Sequence, residues 1–274
     1  MKVAHELSAA DVESAHQAAQ RVVETHRRVA AFLQTGQTLA QIDQFVARTL
    51  QDLGCRSCFL GYKQGRHPRF PSHACLSVND CVVHGTAGYY PQPLKPGDLL
   101  KVDIGVFFRK WVGDAAWTYC FGRPSAEARR LMEAGKESLR RGVRTLRPTN
   151  TYMAWAKAVQ GHVEDECGFK LIRGLGGHGI GMEKLHGPPF VSNVVPDHPS
   201  EWPDGFAQCE AGTLVAVEPM LAIGTGRTRQ HGNEWPVFTA DGSLSVHYEH
   251  DVLITPDGPR VLTEGLDELP DEVG

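Results

Sequence analysis

The sequence has no long hydrophobic run and no excess of charge of one sign. Its longest uncharged apolar stretches are strand-sized, short of the roughly 20 residues that a membrane helix needs, and residues 1–10 carry no apolar signal-peptide region. Lys and Arg number 28 and Asp and Glu 32, giving a formal charge of −4, so the basic surface of a nucleic-acid-binding protein is missing. The sequence predicts a soluble, cytoplasmic protein that uses neither a membrane nor nucleic acid as a partner.

A paired cysteine framework is also missing. The seven cysteines are odd in number and scattered, which favours reduced thiols in a reducing compartment over disulfides. Only Cys55 and Cys58 form a C-x-x-C pair, and no second pair lies near enough to complete a zinc site. Buried packing is the favoured interpretation of this pair, and a zinc or redox role stays open.

The chain has 274 residues, 41% of them hydrophobic, which suffices for one large domain or two small ones. A segment at 96–103 resembles one at 211–218 through the shared pattern G-x-L-x-x-V-acid. Gly97 and Gly212 are 115 residues apart, and so are Asp103 and Glu218. We interpret this as an internal duplication, with chance as the alternative. It predicts a single domain over 1–274, built from halves at about 12–123 and 124–258 that share a cleft.

Hydrophobic periodicity predicts helices and strands in both halves. Helices are expected over 11–34, 38–53, 124–143 and 151–167. Strands are expected over 75–83, 98–108, 111–121, 213–223, 237–240 and 244–255. The acidic residues 264–274 are expected to be loosely held.

Two aspartates stand in apolar strands. A hairpin centred on Phe108 and Arg109 would place Asp103 directly opposite Asp114, and two carboxylates in that position repel. Either a proton or a divalent metal would relieve the repulsion. The alternatives are an exposed strand face, or ion pairs with Lys101 or Arg109.

Three further segments favour the metal. His178 lies among glycines, which permit close backbone approach. Glu218 ends an apolar strand and is held extended by Pro219, and Glu249 lies in another strand. Buried acids are rarely left unpaired. Because four carboxylates and one histidine form a ligand set rich in hard oxygens, we expect a dinuclear hydrolytic centre of Mn, Fe or Co, with Zn also open.

At this point the sequence resembles type I methionine aminopeptidase. The resemblance rests on N-D-C-V-V-H-G at 79–85, V-D at 102–103, G-D at 113–114, G-H-G-I-G at 177–181 with a later histidine, V-E-P-M at 217–220 and Y-E-H at 248–250. It implies an α+β, duplicated pita-bread fold, in which a curved antiparallel sheet has helices on its outer face and a central dinuclear metal cleft.

The resemblance also implies residue roles. The metal ligands would be Asp103, Asp114, His178, Glu218 and Glu249. His84 and His186 would bind the substrate, and Glu218 would carry the proton. The methionine pocket would be lined by Cys75, Trp235 and, with a poorer match, Tyr62.

The implied activity is removal of the N-terminal methionine from peptides and nascent proteins with a small second residue, by a monomer that meets the ribosome at most transiently. Gly187 replaces a usual Glu, one extra residue separates His178 from His186, and Asp103 is followed by Ile and Gly as in the related proline-specific peptidases. A proline-specific aminopeptidase or dipeptidase therefore stays the alternative, together with a peptide-binding module without activity.

Overall fold

The computed structural model describes residues 7–274. Residues 1–6, part of the stretch 1–10 for which no signal-peptide region is predicted, lie outside the described residues. Within the described part, none of the helices is long and apolar enough to cross a membrane.

Four α-helices lie close to their predicted positions. They are α1 (Ala9–Phe32), α2 (Leu39–Asp52), α3 (Ala126–Val143) and α4 (Met153–Gln160). Ser8 and Thr38 cap the first two through capping boxes, which is why both helices begin there. The helix expected over 151–167 is two elements, because after α4 the chain widens into a π-helix, Gly161–Glu166.

Sixteen strands complete the described chain. They are β1 (Arg56–Ser57), β2 (Cys75–Val78), β3 (Cys81–Val83), β4 (Leu99–Phe108), β5 (Trp111–Phe121), β6 (Lys170–Leu171), β7 (Gly176–Gly181), β8 (Lys184–Ser192), β9 (Leu214–Val217), β10 (Met220–Ala222), β11 (Thr228–Gln230), β12 (Val237–Thr239), β13 (Ser245–His247), β14 (His250–Thr255), β15 (Gly258–Val261) and β16 (Glu272–Val273).

Two five-stranded sheets form the centre of the molecule. One has the order β1-β4-β5-β16 with β2 also on β4, and the other has the order β15-β14-β9-β7-β8. Hydrogen bonds from two backbone amides join them: the amide of Glu249 donates to the backbone oxygen of Ala116 at 2.9 Å, and that of Asp114 donates to the side-chain oxygen Asp251 Oδ2 at 2.9 Å. The acids of β5 are thereby held beside those near β14.

Helix α1 covers the outer face of β4 and β5. A Cβ at Gly113 would lie 2.7 Å from the backbone of Ala18, so only glycine permits this approach. His26 of α1 is a satisfied core histidine, with ring nitrogens 3.1 Å from Tyr119 Oη and from Ala115 O. The opposite face of the β4–β5 hairpin, which is turned away from α1, is the face available for a functional site.

The predicted hairpin register is wrong by two residues. Asp103 pairs with Ala116, and Asp114 pairs with Gly105. The turn is centred on Arg109 and Lys110, both at positive φ, as a two-residue type I′ turn requires. Because side chains alternate with a period of two, this shift keeps both aspartates on one face but makes them diagonal neighbours.

Two other expectations need correction. The sequence does not predict strands β7 and β8, because glycine dominates β7, two prolines lie in β8, and each has a single β-branched residue. The C-terminal residues 264–274 are not loosely held: Leu266 is fully buried, and β16 pairs in parallel with β5. The remaining predicted strands over 75–83, 213–223 and 244–255 are each interrupted by two residues outside a strand, at 79–80, 218–219 and 248–249.

Candidate metal centre and active site

A cavity of about 530 Å³ opens between the two five-stranded sheets. Every residue predicted for the site lines it. These residues are Tyr62, Cys75, His84, Asp103, Asp114, His178, His186, Glu218, Trp235 and Glu249. The tertiary structure thus brings together side chains that are spread over almost 190 positions of the sequence.

The buried carboxyl groups in this cavity have too few hydrogen bonds from the protein to offset the cost of ionising them. Asp103 Oδ1 and Asp114 Oδ1 are buried without a hydrogen-bond partner. Burial raises the pKa of Asp103 to about 7, and burial and the charge of Asp103 raise the pKa of Asp114 well above its usual value. The repulsion expected from the sequence is present, although the two aspartates are diagonal.

Ion pairing with lysine or arginine does not relieve this repulsion. Lys101 Nζ donates to Asn79 O at 2.7 Å, and Arg109 donates to Gln17 at 3.1 Å. Within residues 7–274 no lysine or arginine forms an ion pair with the five predicted ligands. The alternative in which Lys101 or Arg109 neutralises the acids is therefore wrong.

Two groups of side chains present ligand atoms within 4.8 Å of one another. One is Asp114, His178 and Glu249, and the other is Glu218, His247 and Glu249. Because Glu249 belongs to both, its two oxygens could serve two cations. Asp103 belongs to neither group, and it lies beside Asp114 in the same cavity.

Close strand packing positions His178. A Cβ at Gly177 would lie 2.3 Å from Ala216 O, and one at Gly179 would lie 2.0 Å from Pro188 O. These glycines let β7 run tightly between its neighbours, as their pattern in the sequence indicated. His178 Nε2 lies 3.9 Å from both Asp114 Oδ2 and Glu218 Oε1. Burial lowers the pKa of His178 to about 3, so its imidazole is neutral and able to bind a metal.

The backbone of Glu218 is anchored by residues that the sequence did not indicate. Asn193, fully buried, donates to Glu218 O at 2.9 Å and accepts from Trp155 Nε1 at 3.2 Å. Burial raises the pKa of the Glu218 carboxyl to about 8.

His247 and Asp251 are further residues that sequence reasoning missed. His247 Nε2 is 2.9 Å from Glu218 Oε2 without the alignment of a hydrogen bond, and burial lowers the pKa of His247 to about 4. Asp251 accepts the amide of Asp114. Their positions in the sequence could have indicated them, because each lies two residues from Glu249 and directly beside the Y-E-H motif.

Two histidines stand at the side of the acidic cluster. His84 has a φ of 58°, a costly backbone conformation for a non-glycine residue that recurs at functional sites. Gly85 makes this turn feasible, because a Cβ there would lie 2.1 Å from Leu76 O. His186 is exposed at the rim, and its Nδ1 is 2.7 Å from Tyr62 Oη.

An apolar wall adjoins the acids. Its buried members include Phe59, Phe70, Cys75 and Trp235, and Tyr62 packs against them. Trp235 Nε1 donates to Pro68 O at 2.9 Å, which fixes the indole. Cys75 is paired with Asp103 across β2 and β4, so the apolar wall begins one strand from the carboxylates. Phe59 and Phe70 were not predicted, because they lie on a loop without a recognisable motif.

The unusual segment after His178 is accommodated by irregular pairing of β7 with β8. The register shifts twice between His178 and Gly181. A Cβ at Gly187 would lie 3.0 Å from Lys184 Cε, so the Lys184 side chain occupies the space that a side chain at position 187 would need. The irregular pairing accommodates the extra residue between His178 and His186, and Gly187 takes the place of the usual glutamate. His186 still lines the cavity.

The residues present fit divalent metal ions. Four carboxylates and neutral imidazoles supply oxygen and nitrogen ligands, and buried oxygens lack protein partners. Within residues 7–274 all seven cysteines are free, and neither metal-ligand group contains Cys55 or Cys58. Those two thiols are buried, as packing residues are.

Comparisons with known proteins agree with this geometry. The model of metallopeptidase family M24 matches residues 13–256. Methionine aminopeptidase of Aquifex aeolicus (strain VF5) is 37% identical over 255 residues, covering 93% of this chain and 96% of that protein. A crystal structure of methionine aminopeptidase from Thermotoga maritima superposes with a TM-score of 0.85 at 28% identity, covering 95% of this chain and 99% of that one.

A more distant structure shares the fold alone. The Xaa-Pro dipeptidase of Bacillus anthracis has a TM-score of 0.73 at 17% identity. The superposition covers 99% of this chain and 64% of that one. The expected pita-bread fold is thereby confirmed, with α1 outside the central sheets and the acidic cleft between them. This chain belongs to metallopeptidase family M24, and within that family to the methionine aminopeptidases.

Proposed function

We propose that this metallo-aminopeptidase removes the N-terminal methionine from peptides and nascent proteins whose second residue is small. The observation that carries the proposal is the adjacency of two surfaces in one cavity. The apolar wall with Cys75, Tyr62 and Trp235 would take the methionine side chain, and the carboxylates across β2 and β4 would take the free α-amine. The preference for a small second residue rests on the family resemblance.

We assign the metal ligands to the five residues expected from the sequence. Asp103, Asp114, His178, Glu218 and Glu249 would hold two divalent ions. The oxygen-rich set suits Mn, Fe or Co, and Zn is compatible. Such ions supply Lewis-acid polarisation of the scissile carbonyl and acidify water.

The chain's own residues then handle the proton and the peptide. Glu218, buried in the same cavity as the other acids, would take a proton from the attacking water and deliver it to the leaving amine. His84 and His186 would hydrogen-bond the substrate amide and stabilise the oxygen charge that develops on attack. Burial lowers the pKa of His84 to about 4, so it acts as a neutral imidazole.

This arrangement explains why the enzyme would act only at chain ends. An amine that is free can bind among the carboxylates, whereas an acetylated amine can neither carry charge nor bind metal. We further propose that the protein works as a monomer in the cytoplasm and meets nascent chains at the ribosome at most transiently. The net charge of −4 is consistent with such weak contact.

A comparison of two peptides tests the function. We expect cleavage of Met-Ala-Ser and none of Ala-Pro or of N-acetylated Met-Ala-Ser. The reverse preference would indicate the activity of the proline-specific peptidases. If no peptide were cleaved with Mn, Fe, Co or Zn present, the remaining interpretation would be a peptide-binding module without activity.

The metal assignment has its own test. His178→Ala should lower both metal content and turnover after purification under mild conditions. His16→Ala, a histidine on the outer face of α1 bonded to Glu264, should lower neither. Full metal occupancy and normal turnover in His178→Ala would contradict the assignment.

A further inference from the structure

One buried imidazole in the active-site cavity has no assigned role. His247 lines the same cavity as the five proposed metal ligands and is 2% exposed. Its Nε2 atom is buried and has no hydrogen-bond partner within residues 7–274. Buried polar atoms are almost always satisfied, so an imidazole nitrogen left bare among carboxylates calls for a ligand that is absent from the protein itself.

The position of His247 relative to Glu218 indicates a shared cation. His247 Nε2 lies 2.9 Å from Glu218 Oε2, but the two atoms are not aligned for a hydrogen bond. Two ligands that bind one cation at right angles, each about 2.0–2.1 Å from it, are about 2.9 Å apart and point at the cation, not at each other. Both the spacing and the misalignment are therefore those of neighbouring metal ligands.

Glu249 completes a group of three ligands. One ligand atom from each of Glu218, His247 and Glu249 lies within 4.8 Å of the other two. The group of Asp114, His178 and Glu249 likewise combines two carboxylates with one imidazole. The cavity therefore offers an imidazole nitrogen to each of two cations.

The backbone of His247 is fixed from two sides. The Thr118 hydroxyl on β5 donates to His247 O at 2.8 Å and accepts the His247 amide at 3.0 Å. On the other side His247 is paired with Met220 at the start of β10, two residues after Glu218. These contacts hold the imidazole and the Glu218 carboxyl on neighbouring segments before any metal binds, as a preorganised metal site requires.

We propose that His247 is a sixth metal ligand, which holds one divalent ion together with Glu218 and Glu249. This inference rests on the proposed function, because it concerns the metals of the same site. Imidazole suits Fe and Zn, whereas ligand sets of carboxylates and water suit Mn. With a nitrogen ligand on each ion, the metal preference of the centre narrows to Fe, Co or Zn.

The test measures metal binding by the full chain after chelator has removed its metals. His247→Gln is the informative variant, because its amide can still donate a hydrogen bond to Glu218 and offers an oxygen to Mn(II), but it supplies no nitrogen ligand. Calorimetric titration should show two Co(II) ions on wild type and a loss of about a hundredfold or more in affinity for one of them in the variant. A residue that only supports a ligand costs about 10- to 100-fold. Mn(II) affinity should change less than about tenfold.

Proton NMR at saturating Co(II) reports ligation directly, because each coordinated imidazole gives one strongly shifted, solvent-exchangeable N–H signal. We expect two such signals in wild type, from His178 and His247, and one in His247→Gln. The matched control is His162→Gln, which removes a buried histidine of the π-helix that does not line the cavity. It should retain both signals and both Co(II) affinities.

Several outcomes would overturn the sixth ligand. They are a single shifted signal in wild type, which needs no variant to fold, two signals in His247→Gln, or a Co(II) loss below about a hundredfold in that variant. Wild type that binds one Co(II) would overturn the dinuclear centre as well. Neither readout uses turnover, so a failure to cleave Met-Ala-Ser would reject the proposed function and leave His247 as a ligand.

Discussion

Asp103 and Asp114 are diagonal neighbours on one face of a hairpin, paired with Ala116 and Gly105 respectively. This relationship governs the chemistry of the cleft, because two carboxylates on one buried face cannot both ionise cheaply. If the proposed divalent ions bind there, this electrostatic cost would be offset by binding energy. The pair therefore connects the local strand geometry to both stability and function.

The first prediction concerns neutralisation of one member of this pair. In chelator, Asp103→Asn should be at least as stable as wild type, because the repulsion with Asp114 is relieved. In Mn(II) the order should reverse. Wild type should gain about 2.7 kcal/mol at a hundredfold excess over its dissociation constant, whereas the variant has lost a ligand and should gain little. Thermal melts near pH 7.5 under both conditions measure this.

Asp52→Asn, an exposed change at the end of α2, is the matched control and should melt like wild type in both buffers. A variant at 103 that is clearly less stable than wild type in chelator would mean that protein donors already compensate the Asp pair.

The second prediction is an unusual pH dependence of the metal-free protein. Burial raises the pKa of Asp103 to about 7 and that of Glu218 to about 8, and it raises the pKa of Asp114 and Glu249 as well. Because the folded state holds these protons longer than the unfolded state, stability should fall as pH rises from 6.5 to 8.

Other buried groups oppose this trend without cancelling it. Burial lowers the pKa of Lys101 to about 7, which stabilises the folded state as pH rises, but this is one group against five, because burial also raises the pKa of Asp251. The histidines with lowered pKa, such as His178, act below pH 6.5, where the unfolded state binds more protons. Melting temperatures in chelator should therefore fall between pH 6.5 and pH 8. With Mn(II), which keeps the carboxylates ionised, the decline to pH 8 should disappear; its persistence would contradict this account.

The third prediction concerns His84. His84→Ala should retain its metal content but lose about 10²-fold in kcat, the range typical of a positioned acid–base or oxyanion group. Metal analysis and steady-state kinetics on Met-Ala-Ser measure both, and His16→Ala serves as the control. A kcat within about threefold of wild type would remove His84 from the mechanism.

The fourth prediction concerns the apolar wall. A peptide with norleucine in place of methionine should be cleaved with kcat/KM within about tenfold, because a pocket built from Cys75 and Trp235 has no polar group to recognise sulfur, and one methylene is worth about 1 to 3 kcal/mol. A β-branched first residue should be poor, since its bulk lies at the mouth of the pocket. Complete rejection of norleucine would point to a specific sulfur contact.

Much of the site could be found from the sequence because its signals are local. An acid inside an apolar strand is unusual wherever the strand lies, and the glycines around His178 announced close backbone approach. Even the mistaken register left Asp103 and Asp114 on one face, because an error of two residues preserves the alternation of side chains. The starts of α1 and α2 are likewise determined locally, because the capping residues Ser8 and Thr38 directly precede the two helices.

The tertiary structure decided what depends on distant parts of the chain. The predicted strands 98–108 and 111–121 leave Arg109 and Lys110 as the turn, but the positive φ of both residues, which sets the hairpin register, is not a preference of arginine or lysine. His247 joins the ligand atoms because β13 and β14 lie against β5, and the C-terminal residues become ordered only because β5 offers a free edge. Local propensity determines which elements form; partners that are far apart in sequence determine how these elements pair, and pairing is what brings the ligands together.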